Sequence, residues 1–499
     1  MKHVYLMIFD LDVEKGGKTS AMLTRAKYFN EFNIQTDIVT FDYKSNYNQI
    51  IDELININKL DKKSKVYNQF HFFENESINI MKQGDNINEY YLNIIEQAIS
   101  VQISKTTYDL FSYETGELIG KIKYKKDKKD YTLDVFSKGI REKRVYCIEN
   151  WIRRIKEYNK EGQIFAEVFF NRNGNPFIRR TIDKETGKLN GLYLLYKGEY
   201  FNNNIELGKY FVDNLIQNSR ENIVICDGSG SVEKIVNSKK LPEVQKYAVM
   251  HTTHVTPKGT LKPKEVNVLK NANNLDGIVF LTNDYINDVK KEYEIPNAYQ
   301  INNFVRDIPE EYKMPTNKVV GCISRLSKNK GFDKFINVAK NVINVDKDIE
   351  FHIYGEGEYK DEIAKMIKEN SLENNVKLFG YTNDPINKLD EFKCVLFTSQ
   401  SEVQSLSMIE AMLKGKPVIA FDIKYGPSQF IKNDYNGYLI KNNDEESMVN
   451  AILEVVSDDK KAIKLGENGR NLVLDEFKPS NIVEKWNDLF EEKLREMEK

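Results

Sequence analysis

The chain has 499 residues, of which 40% are hydrophobic and 30% charged, with 73 basic and 75 acidic side chains. That length exceeds what one hydrophobic core supports, and the mixed composition excludes a disordered or fibrous chain, leaving a soluble protein of two or three domains. The net charge of -2 excludes a global field that would draw in a polyanion, so an anionic partner must meet a local patch.

In chain order, the first 45 residues predict a strand over 4–9, a loop holding Gly16 and Gly17, a helix over 20–32 and a strand over 37–41. This is a βαβ unit of the kind that builds a parallel sheet. The opening apolar run is too short to span a membrane and Asp10 and Asp12 follow it, so the expectation is a cytoplasmic protein with at most peripheral membrane contact. From 68 to 205 short Tyr/Phe/Ile/Val runs alternate with turns such as Glu114-Thr115-Gly116 and Glu185-Thr186-Gly187, which predicts antiparallel hairpins.

The α/β rhythm resumes at Asn222, lapses between Asn303 and Pro315, and restarts at Lys318. The fold class predicted is α/β, with two Rossmann-like domains facing a cleft. Residues 1–67 and 206–304 form the first domain and 68–205 a β-rich insertion in it. Residues 305–478 form the second, and 479–499 a helix that packs back across both, anchored by Trp486 and Leu489. Cys147, Cys226, Cys322 and Cys394 lie far apart without metal-ligand spacing, and the last three sit in apolar runs that predict buried thiols.

Doubly wound sheets bind ligands beyond the carboxyl ends of their strands, which directs attention to the loops there. Glu402 ends one such strand, and Glu410 follows on the next helix. A helix starting near Ser405 would aim the N–H groups of Val403, Gln404, Ser405, Leu406 and Ser407 at a diphosphate, with Glu410 deeper and able to accept from ribose hydroxyls. The alternative is a pair of solvated glutamates. Arg325 and Lys330 leave the first strand of the second domain, where two cations suit a departing diphosphate, although an exposed basic loop is a common outcome.

Gly16-Gly17 would let backbone approach a phosphate, and the lack of a third glycine disfavours a dinucleotide fingerprint. His251 ends a strand on the opposite wall, as a sugar contact or a structural histidine. Asp10-Leu-Asp12 matches a short metal-binding pattern, but the basic loop already supplies positive charge, so no metal is expected. Six lysines within 121–130 form a solvated hairpin or a docking strip for a polyphosphate chain, and no nucleic-acid motif accompanies them.

With these residues in place, the sequence resembles the retaining GT-B glycosyltransferases of family four, whose E-x₇-E motif appears as Glu402 and Glu410 and whose phosphate-binding pair appears as Arg325 and Lys330. It is more similar still to the TarM-type wall teichoic acid α-glycosyltransferases, through Leu11-Asp-Val-Glu-Lys-Gly-Gly17, Ile225-Cys-Asp-Gly228, His352-Ile-Tyr-Gly-Glu-Gly357 and Ala420-Phe-Asp-Ile-Lys-Tyr-Gly-Pro-Ser428. The resemblance implies a UDP-sugar donor carrying glucose or N-acetylglucosamine, a poly(ribitol- or glycerol-phosphate) acceptor and an α-linked product. It implies a homotrimer through the insertion, with the Thr115-Gly116 turn at the interface. Tyr381 would meet the uracil, and His251 the hexose. Many relatives have glycine where Ser401, Val403 or Ser405 stand here. Transfer to Ser/Thr-rich adhesins and a noncatalytic glycan-binding subunit are the alternative functions.

Overall fold

The computed structural model describes residues 2–82, 87–125, 128–236, 238–305 and 313–498. Three sheets organise it. The first is parallel and runs, edge to edge, through Ala298–Gln300, Gly277–Phe280, Gln245–Met250, Asn222–Cys226, His3–Met7, Gln35–Thr40 and Val66–Asn68. Its central strands are continuous apolar runs such as Asn222–Cys226, as a sheet covered on both faces requires. The strand order reverses between His3–Met7 and Asn222–Cys226, which pair in parallel although more than 200 residues separate them. Gly17 and Asp227 follow the two strands that flank this switch point.

The second parallel sheet has the order Val376–Gly380, Glu350–Tyr354, Val319–Ile323, Cys394–Phe397, Val418–Asp422 and Gly437–Lys441. Its reversal falls between Val319–Ile323 and Cys394–Phe397, so the loops carrying Lys330 and Glu402 leave the switch point together. The two doubly wound sheets and their cleft are the GT-B architecture expected from the sequence.

The third sheet is a ten-stranded antiparallel meander from Ala98–Gln102 to Glu199–Phe201, each strand paired with the next. Leu110, Ile122, Leu133, Val145 and Ile155 line one face, where Tyr91 of the helix Ile87–Glu96 joins them. At its far end Phe169, Phe177 and Ile178 enter the core of the first domain, where Phe169 meets Tyr43 at 4.7 Å and Phe70 at 5.0 Å. The insertion is thus fused to the first domain through shared core. Lys126 of the lysine strip lies outside the described residues, as do residues 306–312 of the connection between the domains.

The helix Pro479–Met497 crosses back onto the first domain. Trp486 packs edge-on against Phe29 at 5.9 Å, and Lys2 pairs with Glu491 at 2.6 Å. All four cysteines are buried and free. Among the described residues no helix is long and apolar enough to cross a membrane.

Candidate active site

On the second-domain wall, the loop after Val319–Ile323 closes on Gly331, whose φ of 67° lies in the left-handed region. A Cβ there would stand 2.1 Å from Thr398 O, so glycine is required both by conformation and by contact. That approach knits the two strand-end loops: Thr398 Oγ1 donates to Lys330 O at 3.1 Å and Gln400 N to Asn329 O at 2.8 Å. It also brings the Lys330 ammonium onto Glu402 Oε1, which accepts a further hydrogen bond from Ser399 Oγ at 2.9 Å. The lysine and glutamate read from separate segments therefore form one ion pair.

The helix Leu406–Leu413 starts directly behind this pair, with Ser405 as its N-cap. Among the described residues the N–H groups of 403–407 have no acceptor, so several donors and the positive end of the helix are left for an anion. The side chains of this segment face elsewhere. Val403 is in the core, and Ser405 Oγ lies 3.2 Å from Ser407 Oγ. Gln404 turns toward the domain connection, accepting from Asn303 N and donating to Asn302 Oδ1, both at 2.9 Å. Its backbone alone is available to a ligand. Leu406 packs against the core, and Glu410 is half-buried on the same helix.

Arg325 is exposed and holds Glu358 at 2.9 Å, outside the Lys330–Glu402 pair. Tyr381 takes part in a bridge between the domains: Lys59 Nζ donates to Tyr381 Oη at 2.8 Å and to Val13 O at 2.7 Å. A second bridge is legible in neither segment alone. Tyr425 of the second domain stacks on Tyr285 of the first at 4.8 Å, and Lys424 pairs with Asp288 at 2.5 Å. The same loop is clamped to the Glu402 backbone, whose carbonyl accepts from Tyr425 N at 2.5 Å and Gly426 N at 3.2 Å.

On the first-domain wall, Gly17 caps the helix Lys18–Glu31 with φ 56°, and open space surrounds the Cβ position of Gly16 and Gly17 alike. Behind this loop lies a buried network. Arg25 Nη1 donates to both oxygens of Asp227, at 2.8 and 2.9 Å, and His251 Nε2 donates to Asp227 Oδ1 at 2.8 Å. Burial pushes the Asp227 carboxyl up, but the Arg25 charge and the His251 hydrogen bond outweigh it and hold it below the ordinary range. For His251 burial wins over the carboxylate and lowers the imidazole below its usual value.

Asp10 and Asp12 are engaged by ammonium groups: Lys15 pairs with Asp10, and Lys44 reaches Asp10 at 3.5 Å and Asp12 at 2.9 Å. Burial raises the Asp12 carboxyl, but the Lys44 hydrogen bond and charge bring it below the ordinary range. No group of three or more metal-ligating side chains occurs among the described residues.

The sequence family described as glycosyl transferases group 1 matches residues 304–472, the span of the second wall. A poly(ribitol-phosphate) alpha-N-acetylglucosaminyltransferase of Staphylococcus aureus (strain COL) is 38% identical, over 98% of this chain and 100% of its own. The chain belongs to the TarM-type glycosyltransferases. The crystal structure of a point mutant of S. aureus TarM in complex with Fondaparinux, alpha-GlcNAc-glycerol and UDP superposes with a TM-score of 0.93 at 37% identity, covering 98% of this chain and 100% of that one. A Bacillus subtilis poly(glycerol-phosphate) alpha-glucosyltransferase is 25% identical over 97% of this chain and 74% of its own.

Proposed function

We propose that this chain transfers glucose or N-acetylglucosamine from a UDP-sugar, in α-linkage, onto a poly(ribitol- or glycerol-phosphate) teichoic acid. The observation that carries this reading is the Lys330–Glu402 pair set at the N–H groups of 403–407, in a chain related over its whole length to transferases of polyol-phosphate polymers. The UDP diphosphate accepts hydrogen bonds from those N–H groups and from Lys330, with Arg325 swinging from Glu358 to join them. Glu410 accepts from the ribose, the backbone by Tyr381 borders the uracil, and Gly16-Gly17 and His251 face the hexose.

As the bond from the anomeric carbon to phosphate oxygen breaks, negative charge grows on the leaving group, where Lys330 and the helix N-terminus strengthen their hold. The acceptor hydroxyl attacks from the face the phosphate leaves and passes its proton to a phosphate oxygen, which retains the configuration. Positive charge comes from the protein, and a divalent ion is not part of this reading, since Lys15 and Lys44 already neutralise Asp10 and Asp12. The reading includes association of three copies through the insertion, whose exposed edge strand Ala98–Gln102, with Ile99 and Val101, offers a sheet edge for pairing, and a place in the cytoplasm with at most peripheral membrane contact.

Mass analysis of each polymer after incubation with each UDP-sugar, with and without chelator, tests the reading. One pairing should gain hexose or N-acetylhexosamine mass at equal rate in both conditions. No gain in any pairing contradicts the transfer, and loss on chelation contradicts its metal independence.

A further inference from the structure

The Arg25–Asp227–His251 network is unusual in its burial. The three side chains are 2%, 0% and 6% exposed, and the arginine and aspartate are 202 residues apart in sequence. A buried ion pair is a poor way to gain stability, because desolvation of both charges offsets most of their attraction. Its geometry has a chemical consequence instead. An ionised carboxylate only accepts hydrogen bonds, and Arg25 donates to both of its oxygens. The proton on the His251 ring must then sit on Nε2 to make the 2.8 Å contact with Asp227. Burial disfavours a second proton on the ring, and Nδ1 has no partner among the described residues.

Arg25 is itself fixed from the other side, with its guanidinium 5.0 Å from the Trp486 ring on the C-terminal helix. Its planar fork lies between an indole and a carboxylate, an arrangement that lysine cannot reproduce. His251 follows the strand Gln245–Met250, two strands from the switch point, and Lys18 beside Gly17 is near enough to act on its charge.

We infer that Arg25 and Asp227 are positioning residues that lock His251 as the neutral Nε2–H tautomer, so that Nδ1 accepts a hydrogen bond from one hydroxyl of the donor hexose. The step rests on the reading that His251 faces the hexose. A ring held this way prefers a donor with a free hydroxyl at that position and rejects the corresponding deoxy sugar, which would leave Nδ1 unpaired.

Magic-angle-spinning 15N spectra of the full chain labelled at histidine test the lock directly. There are five histidines, and the His251 signals are identified by their loss in His251→Gln. The wild-type ring should show a protonated Nε2 and an unprotonated Nδ1. In Asp227→Asn the side-chain amide turns its N–H toward the ring, the proton moves to Nδ1, and turnover with UDP-N-acetylglucosamine or UDP-glucose should fall on the order of 10²-fold or more. Binding of UDP alone should be unchanged.

A protonated Nδ1 in the wild type overturns the inference even if Asp227→Asn does not fold. Turnover within about twofold of wild type in folded Asp227→Asn, set against a large loss in His251→Gln, also overturns it while leaving the site reading intact. Near-normal turnover in His251→Gln overturns the placement of the hexose, and with it the role given to Nδ1.

Discussion

On the first wall of the cleft Arg25, Asp227 and His251 satisfy one another inside the core, whereas on the second wall the N–H groups of 403–407 are left without acceptors among the described residues and Lys330 is held by Glu402 beside them. The two walls share one topology, a doubly wound sheet with its switch point at the cleft, yet they use charge in opposite ways. Buried groups bound to one another fix a shape before any ligand arrives. Partly exposed groups that can exchange one partner for another are suited to a charge that grows during reaction. The contrast predicts that loss of a buried charge on the first wall registers in stability as well as turnover, and damage to the second wall in turnover alone.

The largest effect should come from Arg25→Met, which leaves Asp227 buried without its cation and should lower unfolding free energy by about 3–5 kcal/mol in urea denaturation. A change below about 1 kcal/mol would remove the distinction between the walls. Lys330→Ala should lower kcat on the order of 10²-fold or more, about 3 kcal/mol of transition-state stabilisation, with an unfolding midpoint close to wild type. Equal losses of stability and activity in that variant would make Lys330 part of the scaffold. The smallest effect belongs to Glu358→Gln: its pair with Arg325 is solvent-exposed, so stability should shift by less than about 0.5 kcal/mol. Because the variant frees Arg325 for the diphosphate, the Michaelis constant for the donor should fall or stay unchanged.

The second wall is the more legible of the two in sequence, for a physical reason. Its chemistry lies in short segments where a strand end, a loop and a helix start follow one another, so Arg325, Lys330, Glu402 and the N–H groups of 403–407 are read from local pattern. Even there the side-chain directions are not legible. Gln404 turns to Asn302 and Asn303 because the domain connection, about 100 residues earlier in the chain, offers it two partners. The first wall is assembled from residues 25, 227 and 251, and no spacing announces that a helix arginine and a strand-end aspartate will meet. The Tyr285–Tyr425 stack is invisible for the same reason, since it exists only once two separately folded sheets face each other. The insertion is legible as hairpins from its turn glycines, but its fusion to the first core through Phe169 and Phe177 requires the fold.

The proposed reaction is a retaining transfer from a UDP-sugar to a polyol-phosphate chain between two walls of this kind. The most direct measurement is the anomeric configuration of the product, by proton NMR of a ribitol-phosphate oligomer after reaction with UDP-N-acetylglucosamine or UDP-glucose. The product should be an α-linked sugar, formed at the same rate with and without chelator. A β-linked sugar would contradict attack from the departing face, and release of free sugar with no linked product would contradict the acceptor.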